Sequence, residues 1–207
     1  MSKDPAYKTF FKEKPKFIGS FPAPDKINFR GGAEVAFIGR SNVGKSSLIN
    51  ALTKCPGLAK TSSTPGRTRM INMFLMHENF TLVDLPGYGY AKASKKDIET
   101  WNRNTRNYLL GRIELQRVFL LIDARHGIKA TDIESMKVFD EAGVNYQIIL
   151  TKADKISKKE LEKVIVDTEQ KALKHPALHP TILWSSSEKG DNLDEVRKVI
   201  HEIFKAQ

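Results

Sequence analysis

A chain of 207 residues suits one domain with a full hydrophobic core, and 40 % apolar with 28 % charged residues are ordinary globular values. No apolar run approaches the ~20 residues of a membrane span. The single cysteine, Cys55, rules out an intramolecular disulfide, and five scattered histidines argue against a histidine-built zinc site. The net charge of +10 fits either plain solubility or a polyanionic partner, nucleic acid or an anionic membrane surface.

Residues 1–30 read as an extension. Its stretch "FFKEKPKFIGSFPAPDKINF" mixes Phe, Lys and Pro without a period, and the prolines argue against a long helix. The start, "MSKDPAYKTF", is charged and lacks an apolar stretch, so no signal peptide is expected. With the lone cysteine, this fits a reducing cytoplasm. From Ala33 the rhythm changes. "AEVAFIG" reads as a buried strand, "GKSSLINALTK" as a helix and "LAKTSSTPGRT" as a loop. "RMINMFLM" and "FTLVD" read as strands with only "HEN" between them, hence an antiparallel hairpin. "SKKDIETWNRNTRNYLLGR" reads as a helix with Ile98, Trp101, Tyr108 and Leu109 along one side. "RVFLLIDA" is a continuous apolar strand, suited to a sheet covered on both faces. A helix from Thr131, the strand "YQIILT", a helix from Lys158, the strand "TILWS" and a last helix from Asn192 complete the chain. Asp191 lies near that last helix's N-cap. The alternation predicts an α/β domain over residues 31–207, with a mostly parallel six-stranded sheet, one antiparallel hairpin strand and helices on both faces.

The pattern G-x-x-x-x-G-K-[ST] is met by Gly39, Gly44, Lys45 and Ser46. The glycines let the backbone curl so that N–H groups face phosphate oxygens, and the helix N-terminus adds partial positive charge. Lys45 places a full charge at the β- and γ-phosphates, and the Ser46 hydroxyl can coordinate Mg²⁺. The pattern sits where it should, after a strand and opening a helix. Alone it names neither base nor reaction, since small-molecule kinases, ATPases and GTPases share it.

Three further motifs narrow the choice. "DLPG" ends the strand "FTLV", which puts Asp84 at the sheet's carboxyl edge near the metal and the Gly87 N–H within reach of a γ-phosphate oxygen. "TKAD" follows the strand "YQIIL". Its Asp154 can accept from N1–H and the exocyclic amine of guanine, groups that adenine does not offer, and so selects GTP over ATP. The Lys152 stem can lie over the base. "WSSS" ends the last strand, where a backbone N–H near Ser186 can meet the guanine carbonyl. All four motifs fall at carboxyl ends of predicted strands, where open α/β sheets bind ligands.

On "GRSNVGKSSLIN", "TPGRTR", "DLPGYGYA", "LIDARHG", "TKAD" and "WSS", the chain resembles the translation-factor class of small GTPases and, within it, the bacterial EngB (YihA/YsxC) family. The resemblance covers nearly the whole chain. It implies a GTP/GDP switch with Mg²⁺. It implies that Gly39, Arg40, Ser41, Asn42, Val43, Gly44, Lys45, Ser46 and Ser47 surround the phosphates, and that Gly66, Arg67, Thr68, Arg69 and Met70 form a first switch. Asp84, Leu85, Pro86 and Gly87 match the second switch, while Thr151, Lys152, Ala153 and Asp154 with Trp184, Ser185 and Ser186 match the base site. Ser46 and Thr68 match the two Mg²⁺ ligands, with Asp84 acting through water. Thr151 stands where many GTPases carry Asn, which is expected to weaken the scaffolding of the base site.

Phosphoryl transfer needs charge neutralisation and an aligned water. Lys45 and the metal supply the first, with Thr68 and Gly87 drawn to the γ-phosphate. Ras-like GTPases place a water-orienting Gln after D-x-x-G, whereas this chain has Tyr88, so slow intrinsic hydrolysis is expected. Asn42 is placed to hold a K⁺ ion against the phosphates, as in related GTPases, or else it only shapes the loop. A slow GTPase with two switch loops and no evident acceptor site is better built to report a state than to feed a reaction.

For EngB the resemblance implies the large ribosomal subunit or its precursor as partner, and the net charge agrees with rRNA contacts through phosphates. The basic, Phe-bearing "YKTFFKEKPKF" can touch RNA or pack its phenylalanines on the domain itself. The family's link to cell division and septation leaves a second reading, a direct interaction protein of the division septum. A phosphate-loop kinase is disfavoured by "TKAD" and by the lack of a lid-like insertion. A cytoplasmic monomer is expected.

Overall fold

The computed structural model describes residues 5–60, 70–88 and 95–206. Its elements are helix α1 (Ala6–Phe10), strand β1 (Lys16–Phe21), β2 (Ala33–Gly39), α2 (Lys45–Thr53), β3 (Ile71–His77), β4 (Phe80–Asp84), α3 (Lys95–Gly111), β5 (Leu115–Asp123), α4 (Ala130–Glu141), β6 (Tyr146–Thr151), α5 (Lys158–Ala172), β7 (Leu183–Trp184) and α6 (Leu193–Lys205). The strands form one sheet in the order β1-β3-β4-β2-β5-β6-β7. Pairing is parallel from β4 through β7 and antiparallel at β1-β3 and β3-β4.

The α/β architecture with its antiparallel hairpin is as the sequence predicts, but among the described residues the sheet has seven strands rather than six. The additional strand comes from the extension. Lys16 pairs with Leu75 and Phe21 with Ile71, with a bulge between Phe17 and Gly19. This pairing takes up the backbone edge of β3 that would otherwise face solvent. The Phe, Lys and Pro mixture hides the strand because β1 is an edge strand whose side chains are at most half-buried. Phe10 and Phe11 are buried, whereas Phe17 is 54 % exposed, and Ile18, Phe21, Ile27 and Phe29 pack partly buried against the core, so the extension docks through both strand pairing and apolar contacts.

β2 is buried along its whole length, and its alternate residues feed two different layers. Val35 and Phe37 belong to the apolar layer with Leu48, Ile49 and Leu52 of α2 and Val196 and Ile200 of α6. Ala36 and Ile38 belong to the layer with Tyr108 and Leu109 of α3, Met136 and Phe139 of α4 and Leu161 of α5. Truncating any of the three α2 anchors to Ala costs about 2–5 kcal/mol. Glu34, fully buried on β2, is matched by Arg112, whose Nε donates at 3.2 Å, and by the Tyr108 hydroxyl at 2.7 Å, which fixes the end of α3 to the sheet. No helix among the described residues is long and apolar enough to cross a membrane.

Candidate nucleotide site

The parallel registers bring the motifs together. Phe37 pairs with Asp84, Asp123 with Thr151, and Leu150 with Trp184, so β2, β4, β5, β6 and β7 end along one carboxyl edge. The loop from Gly39 to Gly44 leads into α2 there. Gly44 takes φ +102° at the helix N-cap, a conformation open to glycine and costly for other residues. The first amide bonded within α2 is that of Leu48, to Gly44 at 2.9 Å. The N–H groups of Lys45, Ser46 and Ser47 precede it and face outward at the positive end of the helix. Two amides of the loop are committed elsewhere: Ser41 N–H donates to the Tyr88 carbonyl (2.9 Å) and Val43 N–H to the Arg40 carbonyl (3.1 Å). Of the nine residues from Gly39 to Ser47, these two therefore have no amide left to offer a ligand.

The far end of α2 is held by Arg197. Its guanidinium donates to the Ala51 (2.7 Å) and Leu52 (2.9 Å) carbonyls and pairs with Asp194 at 2.8 Å. A cation on the last helical carbonyls both satisfies them and complements the helix dipole. The motifs do not signal this residue; only α6's packing on α2 reveals it.

Lys45 and Asp84, 39 residues apart, form a buried ion pair. Asn72 Nδ2 approaches the other Asp84 oxygen at 3.4 Å. Leu85 is buried in the core and its amide donates to Phe37. Gly87 passes so close to the phosphate loop that a Cβ would lie 3.1 Å from the Gly39 carbonyl oxygen. A magnesium ion fits the donors at this point: a serine hydroxyl at Ser46 and the Asp84 carboxylate are hard oxygen ligands. No group of three His, Cys, Asp or Glu side chains forms an all-protein metal cage among the described residues, and a Mg²⁺ completed by phosphates and water needs none. Gly66, Arg67, Thr68 and Arg69 lie outside the described residues, and Met70 stands half-buried just before β3.

Tyr88 turns away from the phosphates. It is buried, and its hydroxyl donates to Asp132 Oδ1 of α4 at 2.7 Å. Burial first, and the Asp132 charge second, push its phenol well above the usual tyrosine range. The phenol is thus bonded to α4 and is not presented to the phosphate loop.

The base site is built on β6 and the turn after it. Thr151 Oγ1 donates to the Val43 carbonyl at 2.6 Å and lies 3.2 Å from that of Ile122. The hydroxyl thus performs the scaffolding that was expected to suffer without Asn, tying the base loop to the phosphate loop. Lys152, at φ +57°, donates to the Asn42 carbonyl at 2.6 Å and pairs with Asp123 at 3.0 Å, so its stem lies across the phosphate loop. Although burial alone would raise it, hydrogen bonds from Arg125 and Lys152 hold the Asp123 carboxyl well below its ordinary range. Asp123 escaped the motif analysis; its place as the last residue of β5, within "LIDARHG", was the available signal. The Ala153 amide donates to the Ser185 carbonyl at 3.2 Å, joining the two base loops.

Asp154 is nearly fully buried. Its Oδ1 accepts from Ser186 Oγ at 2.7 Å; its Oδ2 has no donor in hydrogen-bond geometry, though Lys155 pairs with it at 3.1 Å. The Ser186 hydrogen bond, outweighing burial, lowers the Asp154 carboxyl and keeps it ionised. The Ser186 amide differs from its expected role: it donates to the Asp191 carbonyl at 3.1 Å, and the Ser185 amide to Leu150 at 2.8 Å. Ser186 therefore meets Asp154 through its hydroxyl, while its own amide and that of Ser185 are bonded within the chain. Trp184 is half-buried, and its carbonyl accepts from Asn192 Nδ2 at 2.9 Å. Asn192 at φ +56°, rather than Asp191, occupies the N-cap of α6.

Residues 34–152 match the family described as 50S ribosome-binding GTPase, and residues 105–206 match the elongation factor Tu GTP binding domain. The probable GTP-binding protein EngB of Bartonella tribocorum is 47% identical over 209 residues, covering 97% of this chain and 98% of that one. Its counterpart in Ruegeria pomeroyi is 54% identical over 183 residues, covering 88% and 82%. Among solved structures, a probable GTP-binding protein engB superposes with a TM-score of 0.67 at 23% identity, over 84% of this chain and 100% of that one. Era in complex with MgGDPNP and nucleotides 1506–1542 of 16S ribosomal RNA superposes with a TM-score of 0.64 at 27% identity, over 84% and 57%.

Proposed function

Since the chain belongs to the EngB family of GTP-binding proteins and is a GTP-hydrolysing enzyme, we propose that it acts as a slow GTP/GDP switch in assembly of the large ribosomal subunit. The observation that carries the nucleotide half of this reading is the Asp154–Ser186 pair. A buried, ionised carboxylate with one oxygen held by a serine leaves the other to accept from guanine N1–H and the exocyclic amine. The ribosomal half is supported by the family description as 50S ribosome-binding and by the net charge of +10.

In this reading the amides opening α2 and the Lys45 ammonium bind the β- and γ-phosphates; Ser46 and Thr68 would hold Mg²⁺ directly and Asp84 through water, and the ion would supply neutralisation of charge on the phosphoryl oxygens. Lys45 moves from Asp84 toward the γ-phosphate as the nucleotide enters. The Gly87 amide marks the third phosphate, and Thr68 closes from the first switch. Asn42, an exposed residue of the phosphate loop, would hold K⁺ against the phosphates. Among the described residues no side chain stands in for the water-aligning Gln that Tyr88 replaces, so the GTP state persists until the partner acts. The protein works in the cytoplasm as a monomer and contributes to cell division by way of ribosome supply.

Single-turnover GTP hydrolysis, in K⁺ and in Na⁺ and with and without large ribosomal subunits, tests this. The expected rate alone is on the order of 10⁻³ s⁻¹ or slower, as for unassisted Ras-type sites, rising with K⁺ and with subunits. Fast hydrolysis by the isolated protein, indifferent to subunits, overturns the switch reading.

A further inference from the structure

Helix α2 offers the phosphates its first amides and Lys45 at one end. Its other end is gripped by Arg197, 146 residues from Ala51. The local chain already closes that end. Lys54 takes φ +54° at the C-cap, with its amide on the Ala51 carbonyl at 3.4 Å and the Cys55 amide on that of Asn50 at 3.1 Å. Arg197 is therefore more than the turn itself requires. It is only 7 % exposed, and a buried guanidinium is costly unless its contacts are well made.

Those contacts gather three parts of the chain. On α2, Nη2 donates to the Ala51 carbonyl at 2.7 Å and Nε to that of Leu52 at 2.9 Å. On α6, Nη1 pairs with Asp194 at 2.8 Å. From the extension, the Phe11 ring lies under the guanidinium, 5.9 Å from carbon to centroid. Asp194 in turn accepts from the Tyr7 hydroxyl at 3.3 Å and pairs with Lys8 at 3.8 Å, both on α1. Phe10 completes the docking against Phe204 of α6 and Phe80 of β4, with ring centroids 4.8 and 5.7 Å apart. The extension and the phosphate-binding helix thus share one anchor.

We propose that Arg197 is a positioning residue for phosphate binding, and that through it the N-terminal extension supports the nucleotide site; this rests on the GTPase reading above. The 9 residues of α2 make a rod of roughly 13 Å. A rod so short does not bend when its rear is released; it turns, and the turn appears at its first amides. Binding groups hold their geometry only within about 0.5 Å, and they do so when the elements behind them are locked. Arg197 acts through α2 and touches no ligand. Its effect falls on the phosphates rather than the base, because the base loops hang on β6 and β7 and not on α2.

The test is competition of GDP and of GMP against a fluorescent GDP derivative, with Mg²⁺, on the full chain. GMP keeps the base and lacks the β-phosphate, so the ratio of the two affinities reads the phosphate end alone. A general loss of stability moves both ligands together and leaves the ratio where it was. Arg197→Met removes the donors. Arg197→Lys keeps a cation that can reach one carbonyl, and it serves where the first variant does not fold. Phe11→Leu removes the ring under the guanidinium and changes no residue of α2 or α6. The expected preference for GDP over GMP is about five-fold smaller in Arg197→Met, intermediate in Arg197→Lys, and smaller by more than about two-fold in Phe11→Leu. A ratio within about two-fold of wild type in the folded Arg197 variants overturns the positioning role. An unchanged ratio in Phe11→Leu alone overturns the part given to the extension. A wild-type protein that does not distinguish GDP from GMP is seen before any variant is made, and it removes the GTPase reading together with the proposal.

Discussion

Tyr88 donates a 2.7 Å hydrogen bond to Asp132, which fastens the residue after D-x-x-G to the first turn of α4 and away from the phosphates. Replacing Tyr88 with Phe leaves a buried carboxylate oxygen without its donor, at a cost of about 1–3 kcal/mol. At roughly 2–4 °C per kcal/mol for a chain this long, thermal unfolding shifts down by about 2–12 °C. Intrinsic GTP hydrolysis stays within about two-fold of wild type, because the phenol takes no part in it. A ten-fold loss of hydrolysis, measured by phosphate release, contradicts this placement.

Asp154→Asn removes two charge-assisted hydrogen bonds to guanine. At about 1.5–3 kcal/mol each, GDP affinity falls at least ~100-fold. The amide can donate to the C2 carbonyl of xanthine, so xanthosine diphosphate gains while guanosine diphosphate loses. Competition against a fluorescent nucleotide reads both. Loss of GDP binding without any gain for the xanthine nucleotide points to collapse of the site instead.

The Asp154 carboxyl sits below its ordinary value, held there by Ser186. A lowered carboxyl keeps its contribution above the ordinary pKa of about 3.9 and loses it as pH falls through the lowered value. The Asp154 contribution, read as the ratio of GDP affinity in wild type to that in Asp154→Asn, is therefore flat from about pH 8 to pH 5 and declines only below about pH 4. In Ser186→Ala the leading cause of the depression is gone, and the decline begins at higher pH. Superimposable pH profiles for the two proteins contradict the assignment of Ser186 to the carboxylate.

Thr151→Val keeps the shape and deletes the bond to the Val43 carbonyl. The loss of about 1 kcal/mol lowers GDP affinity about five-fold and leaves the preference for guanine over adenine unchanged, since Thr151 scaffolds without touching the base. A changed base preference in the same competition assay contradicts that division of labour.

The sequence exposes what repeats a local rule and hides what depends on distant partners. The buried strand "AEVAFIG", the phosphate loop and the D-x-x-G turn are legible because period, glycine placement and strand ends are local properties. The strand Lys16–Phe21 is not, because its pairing with β3 satisfies backbone groups and leaves little pattern in its side chains. The Asp154 carboxylate was visible in "TKAD", but the use of the Ser186 hydroxyl rather than its amide follows from a turn that spends the amide on Asp191. Thr151 reads as a weaker Asn until its hydroxyl is seen against Val43, 108 residues earlier.

Co-sedimentation with large ribosomal subunits and their precursors, in K⁺ buffer at two salt concentrations, tests the switch most directly. The account predicts pelleting with a non-hydrolysable GTP analogue, its loss with GDP, and weakening at the higher salt as phosphate contacts are screened. Absence of pelleting in both nucleotide states, with mature and precursor particles alike, contradicts a ribosome-read switch and transfers the case to the division septum.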